Sequence, residues 1–214
     1  MSAAVRLAAS DFAFNTWRFI AANVVFGAGL IVVVVIALSW PPAVALLPLL
    51  AAPLAGMHRM AALLARGEPT SLSDFFHGIR RFGAQAIGLG AAALLAGMVL
   101  ATNAVAGFAS NDPVGWFVGA LAVYGLIALT MFIVAAWPLL VDPARDGWHL
   151  RMRLRAAGLL VLARPGRLFV LTALIAVLLA VSTVILGGIV LVTASFASLV
   201  ATRWVLPAAD QLAR

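Results

Sequence analysis

Histidine, carboxylate and serine are the side chains from which general bases, metal sites and nucleophiles are built. Here they are few and scattered. The histidines are His58, His77 and His149. None stands in an H-E-x-x-H or similar ligand spacing. His58 and His77 could approach each other at one end of the molecule, but a polar histidine at an interface is the ordinary reading of each. The acids are Asp11, Glu68, Asp74, Asp112, Asp142, Asp146 and Asp210. All fall near the chain ends or in connections, so none sits mid-span, where ion coupling or a proton relay would need it. Ser39, Ser182, Ser195 and Ser198 lie in or near apolar stretches, with no histidine at comparable depth to act as base. There is no Walker sequence and no glycine fingerprint after a strand. The chain has no cysteine, which excludes disulfides, thiolate metal sites and a cysteine nucleophile. The expectation is a protein that is not an enzyme, with no catalytic residues, no metal and no cofactor.

What remains of chemical interest is placed within apolar stretches. Asn23 and Asn103 must each hydrogen-bond across a helix bundle or line a cavity. Pro48 and Pro53 fall inside one apolar run and predict a kink or a break. Gly88, Gly90, Ala91 to Ala93, Ala96 and Gly97 form a small-residue stretch that lets helices approach closely. Gly115 and Gly119 make a G-x-x-x-G, for which packing inside the bundle is the ordinary use.

Such residues need elements to hold them, and composition says which. Of 214 residues, 65% are hydrophobic and only 10% charged, with a mean hydropathy of +1.14. A soluble domain has about a quarter of its residues charged. The apolar runs do not alternate as barrel strands would, so helices must satisfy the backbone in lipid. At about 20 residues per crossing, the sequence predicts an all-α membrane protein. It is a single polytopic domain, residues 1–214, with six transmembrane helices at about 19–39, 43–64, 86–109, 114–141, 168–186 and 189–206. The first run exceeds the h-region of a cleaved signal peptide and reads as a retained span. From Leu168 to Leu206 the chain is almost wholly apolar, and Gly187-Gly188 is the expected hairpin turn.

The connections differ in charge. Ser39 to Pro42, Ser110 to Pro113 and Gly187-Gly188 carry no arginine, while all fourteen basic residues of the chain are arginines placed elsewhere. The positive-inside rule then puts both termini in the cytoplasm. Net charge is +7. Arginine that orients loops and touches anionic headgroups accounts for it, so the partners expected are the bilayer, anionic lipid or a membrane transport complex, and no nucleic acid. Ser71 to Gln85 reads as a short amphipathic surface helix with Phe75, Ile79 and Phe82 on one face; Ser71 or Ser73 caps it, with Asp74 near its positive end. A second surface helix is expected between Asp142 and Arg167. Arg80, Arg81, Arg151, Arg153 and Arg155 are the candidate docking residues on this face. A basic amphipathic stretch precedes a span pair three times, at Val5 to Arg18, Ser71 to Arg81 and Arg151 to Arg167. This suggests three parallel units.

Arg66-Gly67-Glu68, Ser73-Asp74-Phe75-Phe76 and Gly78-Ile79-Arg80-Arg81-Phe82 resemble the signature loop of the YesL-like bacterial membrane proteins. The resemblance extends over about residues 10 to 205, though the alanine richness and the paired prolines of the second span depart from the family's pattern. It implies a non-enzymatic accessory or scaffold role linked to carbohydrate uptake, with no catalytic residues to carry over. The alternative is a small-solute transporter or channel using Asn23, Asn103 and the proline-broken second span.

Overall fold

In the computed structural model, residues 2–184 and 192–212 are described, and every element among them is helical. Helix α1, Ser2–Phe14, is followed after one residue by α2, Thr16–Ser39. The break falls where polar side chains capture backbone carbonyls. Asn15 Nδ2 donates to Asp11 O at 3.1 Å and Thr16 Oγ1 to Phe12 O at 2.8 Å. Pro41-Pro42 then starts a 3-10 helix, Pro41–Leu50, that passes directly into α3, Ala51–Ala65. The expected break in the second span is therefore a change of helix type at Leu50. Pro48 lies before it. Pro53 lies in the first turn of α3, where a missing N–H costs little.

Helix α3 ends in a Schellman motif. Gly67 takes φ +81°, Gly67 N donates to Leu64 O at 3.0 Å and Glu68 N to Leu63 O at 2.9 Å. Helix α4, Leu72–Ala109, begins with Ser71 N donating to Asp74 Oδ2 at 2.8 Å. Helix α5, Pro113–Val141, leads through a 3-10 turn, Pro143–Arg145, to α6, Leu150–Ala163. Arg164 alone separates α6 from α7, Pro165–Val184, because the residue before proline avoids the helical region. Helix α8 is Ala194–Leu212.

Among the described residues, five helical segments are long and apolar enough to cross a membrane: Thr16–Ser39, Pro41–Ala65, Leu72–Ala109, Pro113–Val141 and Pro165–Ser182. Their outward faces are apolar, with residues such as Val32, Val35, Leu95, Phe117 and Val177 more than half exposed. A patch of this extent suits hydrocarbon rather than water. Helix α8 is not among the five. It carries Arg203 and Asp210 and is mostly interior, with Ser195, Leu199, Thr202 and Val205 fully buried or nearly so. The expected Gly187-Gly188 turn lies outside the described residues.

Helices α3, α5 and α8 each pack against the other two. Each is the second long helix of its expected pair, so the three second helices make the centre. One expectation needs correction. Ser71 to Gln85 is not a separate surface helix but the start of the 38-residue α4, which rises about 57 Å at 1.5 Å per residue. No breaker stands between Gln85 and Ala86, and the apolar face has found protein instead of lipid. Phe75 and Phe82 are buried because two glycines let α4 close onto α3. A Cβ on Gly56 would lie 2.7 Å from the Phe75 ring, and one on Gly78 would lie 3.0 Å from Gly56 Cα. A second close crossing joins α4 to α5, where a Cβ on Gly107 would meet Gly115 O and Gly119 N at 2.5 Å. The G-x-x-x-G is thus used inside the chain.

Candidate functional site

The polar chemistry of the molecule gathers at one end, where α3, α5 and α8 finish. The Schellman stop leaves Arg66 at the tip of α3. Its guanidinium donates from Nε to Asp142 Oδ1 at 3.0 Å, from Nη2 to Asp142 Oδ2 at 2.6 Å and from Nη1 to Asp210 Oδ2 at 2.6 Å. Asp142 follows α5 and Asp210 lies near the end of α8, so one arginine ties the three central helices together. Arg145 repeats the arrangement. It donates to Asp142 Oδ2 and, at 2.7 Å, to Asp210 Oδ1. Asp142 is wholly buried and also caps the following turn through Ala144 N at 3.2 Å.

These contacts set the charge states. Hydrogen bonds to Asp142 and Asp210 raise the Arg66 pKa further above the ordinary arginine value. Burial works against the charged form of Asp210, but the hydrogen bonds from Arg66 and Arg145 outweigh it and hold the carboxyl below the usual range.

A second cluster adjoins the first. Arg59 grips both oxygens of Asp146, at 3.0 and 3.1 Å, and donates to Val141 O at 2.8 Å. Arg81 reaches Asp146 at 3.1 Å. The guanidinium carbons of Arg59, Arg81 and Arg153 all lie over the Phe82 ring, 5.3–5.6 Å from its centroid, a distance at which cations are drawn to the ring face. Further ties complete this end: Arg203 to Asp11 at 2.6 Å and Arg164 to Gln211 at 2.6 Å.

Of the expected docking residues, Arg80, Arg151 and Arg155 are exposed, and Arg81 is exposed but paired. Arg153 is a correction. It is buried and donates to Leu140 O, to Arg145 O at 2.8 Å and to Asp146 O at 3.2 Å. Those carbonyls belong to the end of α5 and the turn after it, where orphan acceptors need a donor. Burial lowers the pKa of Arg153, with nearby Asp146 opposing that effect. Alternation along 151, 153 and 155 hid the difference, because in a helix the middle residue turns inward.

The apolar interior holds less polar chemistry. A cavity of about 640 Å³ opens between the helices and includes Pro48, Ala51, Gly90, Gly97, Thr130 and Trp137 in its wall. A smaller one of about 280 Å³ shares Trp137 and adds His58 and Ser198. His58 stacks on Trp137 with centroids 6.1 Å apart, and its Nδ1 lies 3.4 Å from Thr202 Oγ1. His77 is exposed and lines a shallow cleft with Ser73, Asp74 and Arg80, so the two histidines have separate surroundings. Asn23 is fully buried and accepts from Ser195 N at 3.1 Å. It caps the start of α8 from α2. Asn103 lies on the exposed side of α4. Among the described residues no group of three or more His, Asp or Glu side chains is placed to hold a metal ion.

Sequence reasoning missed the Arg66–Asp142–Asp210 tie. The signal available was a near-repeat: Trp137 precedes Asp142 across an apolar run as Trp204 precedes Asp210. Compared with protein-family models, curated proteins and solved structures, the chain matches none of them.

Proposed function

We propose that this chain is a six-span accessory or scaffold protein of the cytoplasmic membrane, not an enzyme. In this reading α8 completes the sixth crossing, both ends of the chain are cytoplasmic, and the arginine-bearing end faces the cytoplasm. The observation that carries it is the division of polar groups. The carboxylates Asp142, Asp146 and Asp210 are consumed by an internal latch, while Arg80, Arg151 and Arg155 stay exposed beside it. An end tied into one block and surfaced with unpaired-facing arginine suits the docking of an acidic partner. The positive-inside rule supports the orientation. The resemblance to the YesL-like proteins supports a partner in carbohydrate uptake. The transporter alternative gains less support, because the cavity walls are almost wholly apolar and Asn103 faces outward.

Two experiments test this. The chain has no cysteine, so Arg151→Cys and Asn111→Cys can be labelled singly in oriented vesicles; the reading requires them to react from opposite sides. Capture from native membranes should recover a specific membrane partner with the unaltered chain and lose it with Arg80→Gln/Arg151→Gln/Arg155→Gln. Recovery of the same proteins with both would refute the docking role.

A further inference from the structure

Helix α6 carries a cleft that borders the latch and shares only Arg145 with it. Arg145, Trp148, Met152, Arg155, Leu159 and Leu212 line a cavity of about 220 Å³ between α6 and the end of α8. Its two ends differ in chemistry. At one end the Arg145 guanidinium lies 5.3 Å from the centroid of the Trp148 ring, and its Nε is buried without a hydrogen-bond partner. Arg155 stands beside it, exposed and in no ion pair among the described residues. The other end is apolar and runs into a stripe of exposed side chains, with Met152 49%, Leu159 52% and Leu162 79% exposed. Positions 152, 155, 159 and 162 are spaced three and four apart and so share one helix face.

A positive pole joined to a greasy trough, on a helix rimmed by arginine, is complementary to one kind of molecule. We infer that this cleft binds an anionic phospholipid of the adjoining leaflet. Its phosphate sits by Arg155 within the field of Arg145, and one acyl chain lies along Met152, Leu159 and Leu212. Charge selects the headgroup. Five guanidiniums gather around three carboxylates at this end, so the surplus is positive even after the latch is formed. The trough selects lipid over free phosphate, because a bare anion would leave the apolar wall uncovered. The inference rests on the orientation proposed above, which puts α6 at the headgroup level of the cytoplasmic leaflet.

The test uses the full chain reconstituted in bilayers of phosphatidylglycerol and phosphatidylcholine in equal amounts. The lipid that stays bound after gentle detergent extraction is then measured by mass spectrometry. Phosphatidylglycerol should be retained over phosphatidylcholine by about fivefold, the contribution of one arginine near an anionic surface. Arg155→Gln should abolish that preference, Leu159→Gln should reduce it, and Arg80→Gln should leave it intact. Inorganic phosphate should not displace the lipid. Equal retention of the two lipids, equal loss in Arg155→Gln and Arg80→Gln, or displacement by phosphate would each overturn the inference. Labelling Arg151→Cys in the same vesicles separates the failures. If position 151 reacts from the cytoplasmic side and no preference is seen, this inference falls alone; if it reacts from the other side, the orientation falls with it.

Discussion

Arg66 holds Asp142 in a two-pronged pair, with Nε at 3.0 Å from one carboxylate oxygen and Nη2 at 2.6 Å from the other. The Asp142 side chain is wholly buried and that of Arg66 about a quarter exposed. Removing Arg66 leaves Asp142 with Arg145 as its charged partner, and removing Asp142 leaves Arg66 with Asp210. Arg66→Ala and Asp142→Ala should therefore each destabilise the detergent-solubilised protein by about 1.5–3 kcal/mol, the range for lost hydrogen bonds to charged groups. The double variant should lose clearly less than the sum. Thermal melts of the three variants against the unaltered chain measure this, and strict additivity would show that the pair is not coupled.

Arg151 and Arg153 separate docking from architecture. Arg153 serves three carbonyls at the end of α5, whereas Arg151 is exposed. Arg153→Gln should lower the melting temperature, with a loss of about 1–3 kcal/mol for the unmet acceptors. Arg151→Gln should stay within about 0.5 kcal/mol of the parent. A reversed order of the two melts would contradict the inward placement of residue 153.

The α3–α4 crossing gives a steric test. Gly56→Val would drive new atoms into Phe75, already 2.7 Å from a Cβ there. A loss of about 1–3 kcal/mol is expected from the overpacking. Gly88 has nothing within 4 Å of its Cβ position, so Gly88→Ala should be neutral or stabilising by up to about 1 kcal/mol. Chemical denaturation in mixed micelles distinguishes the two.

Asn23 offers a milder polar contact. Asn23→Leu keeps the volume but removes the acceptor for Ser195 N. The expected cost is about 0.5–2 kcal/mol, read as faster hydrogen exchange in the first turn of α8. Unchanged exchange there would mean that the cap does not hold the helix start.

The latch also sets an acid limit. Asp210 has a folded pKa below its ordinary value of 3.8. Its contribution to stability is therefore complete above that value and disappears as pH falls through the lower, folded one. Melting temperature should hold steady from neutral pH to about pH 5 and drop below about pH 4. In Asp210→Asn that acid drop should be smaller. An equal drop in both proteins would assign it to other carboxylates.

Much of this architecture was legible in the residues, and the unread part has a common cause. Apolar run length marked α2, α4, α5 and α7 as helices long and apolar enough to cross a membrane, because hydrocarbon constrains composition directly. Pro48 and the Arg66-Gly67 stop likewise carried their meaning locally. What the pattern did not reveal was partnership. Nothing within Ser71 to Gln85 says that Gly78 will meet Gly56, so the segment read as lying on lipid. Arg153 looked like its neighbours until α5 supplied the carbonyls that it serves. Asp142 and Asp210 read as ordinary connection residues because they lie far apart in sequence and Arg66, which joins them to α3, is far from both. The helix α8 was read from hydropathy as one more crossing, yet its burial is decided by α3 and α5.

The 3-10 segment has a consequence for levels. At about 2.0 Å per residue it reaches about 20 Å, where ten α-helical residues would reach about 15 Å. Pro41–Ala65 thus extends about 42 Å with 25 residues. Helix α5 needs 29 residues for about 43 Å. The tighter coil stretches a shorter run to the height of its taller neighbour, so that Arg66 arrives in the same plane as Asp142.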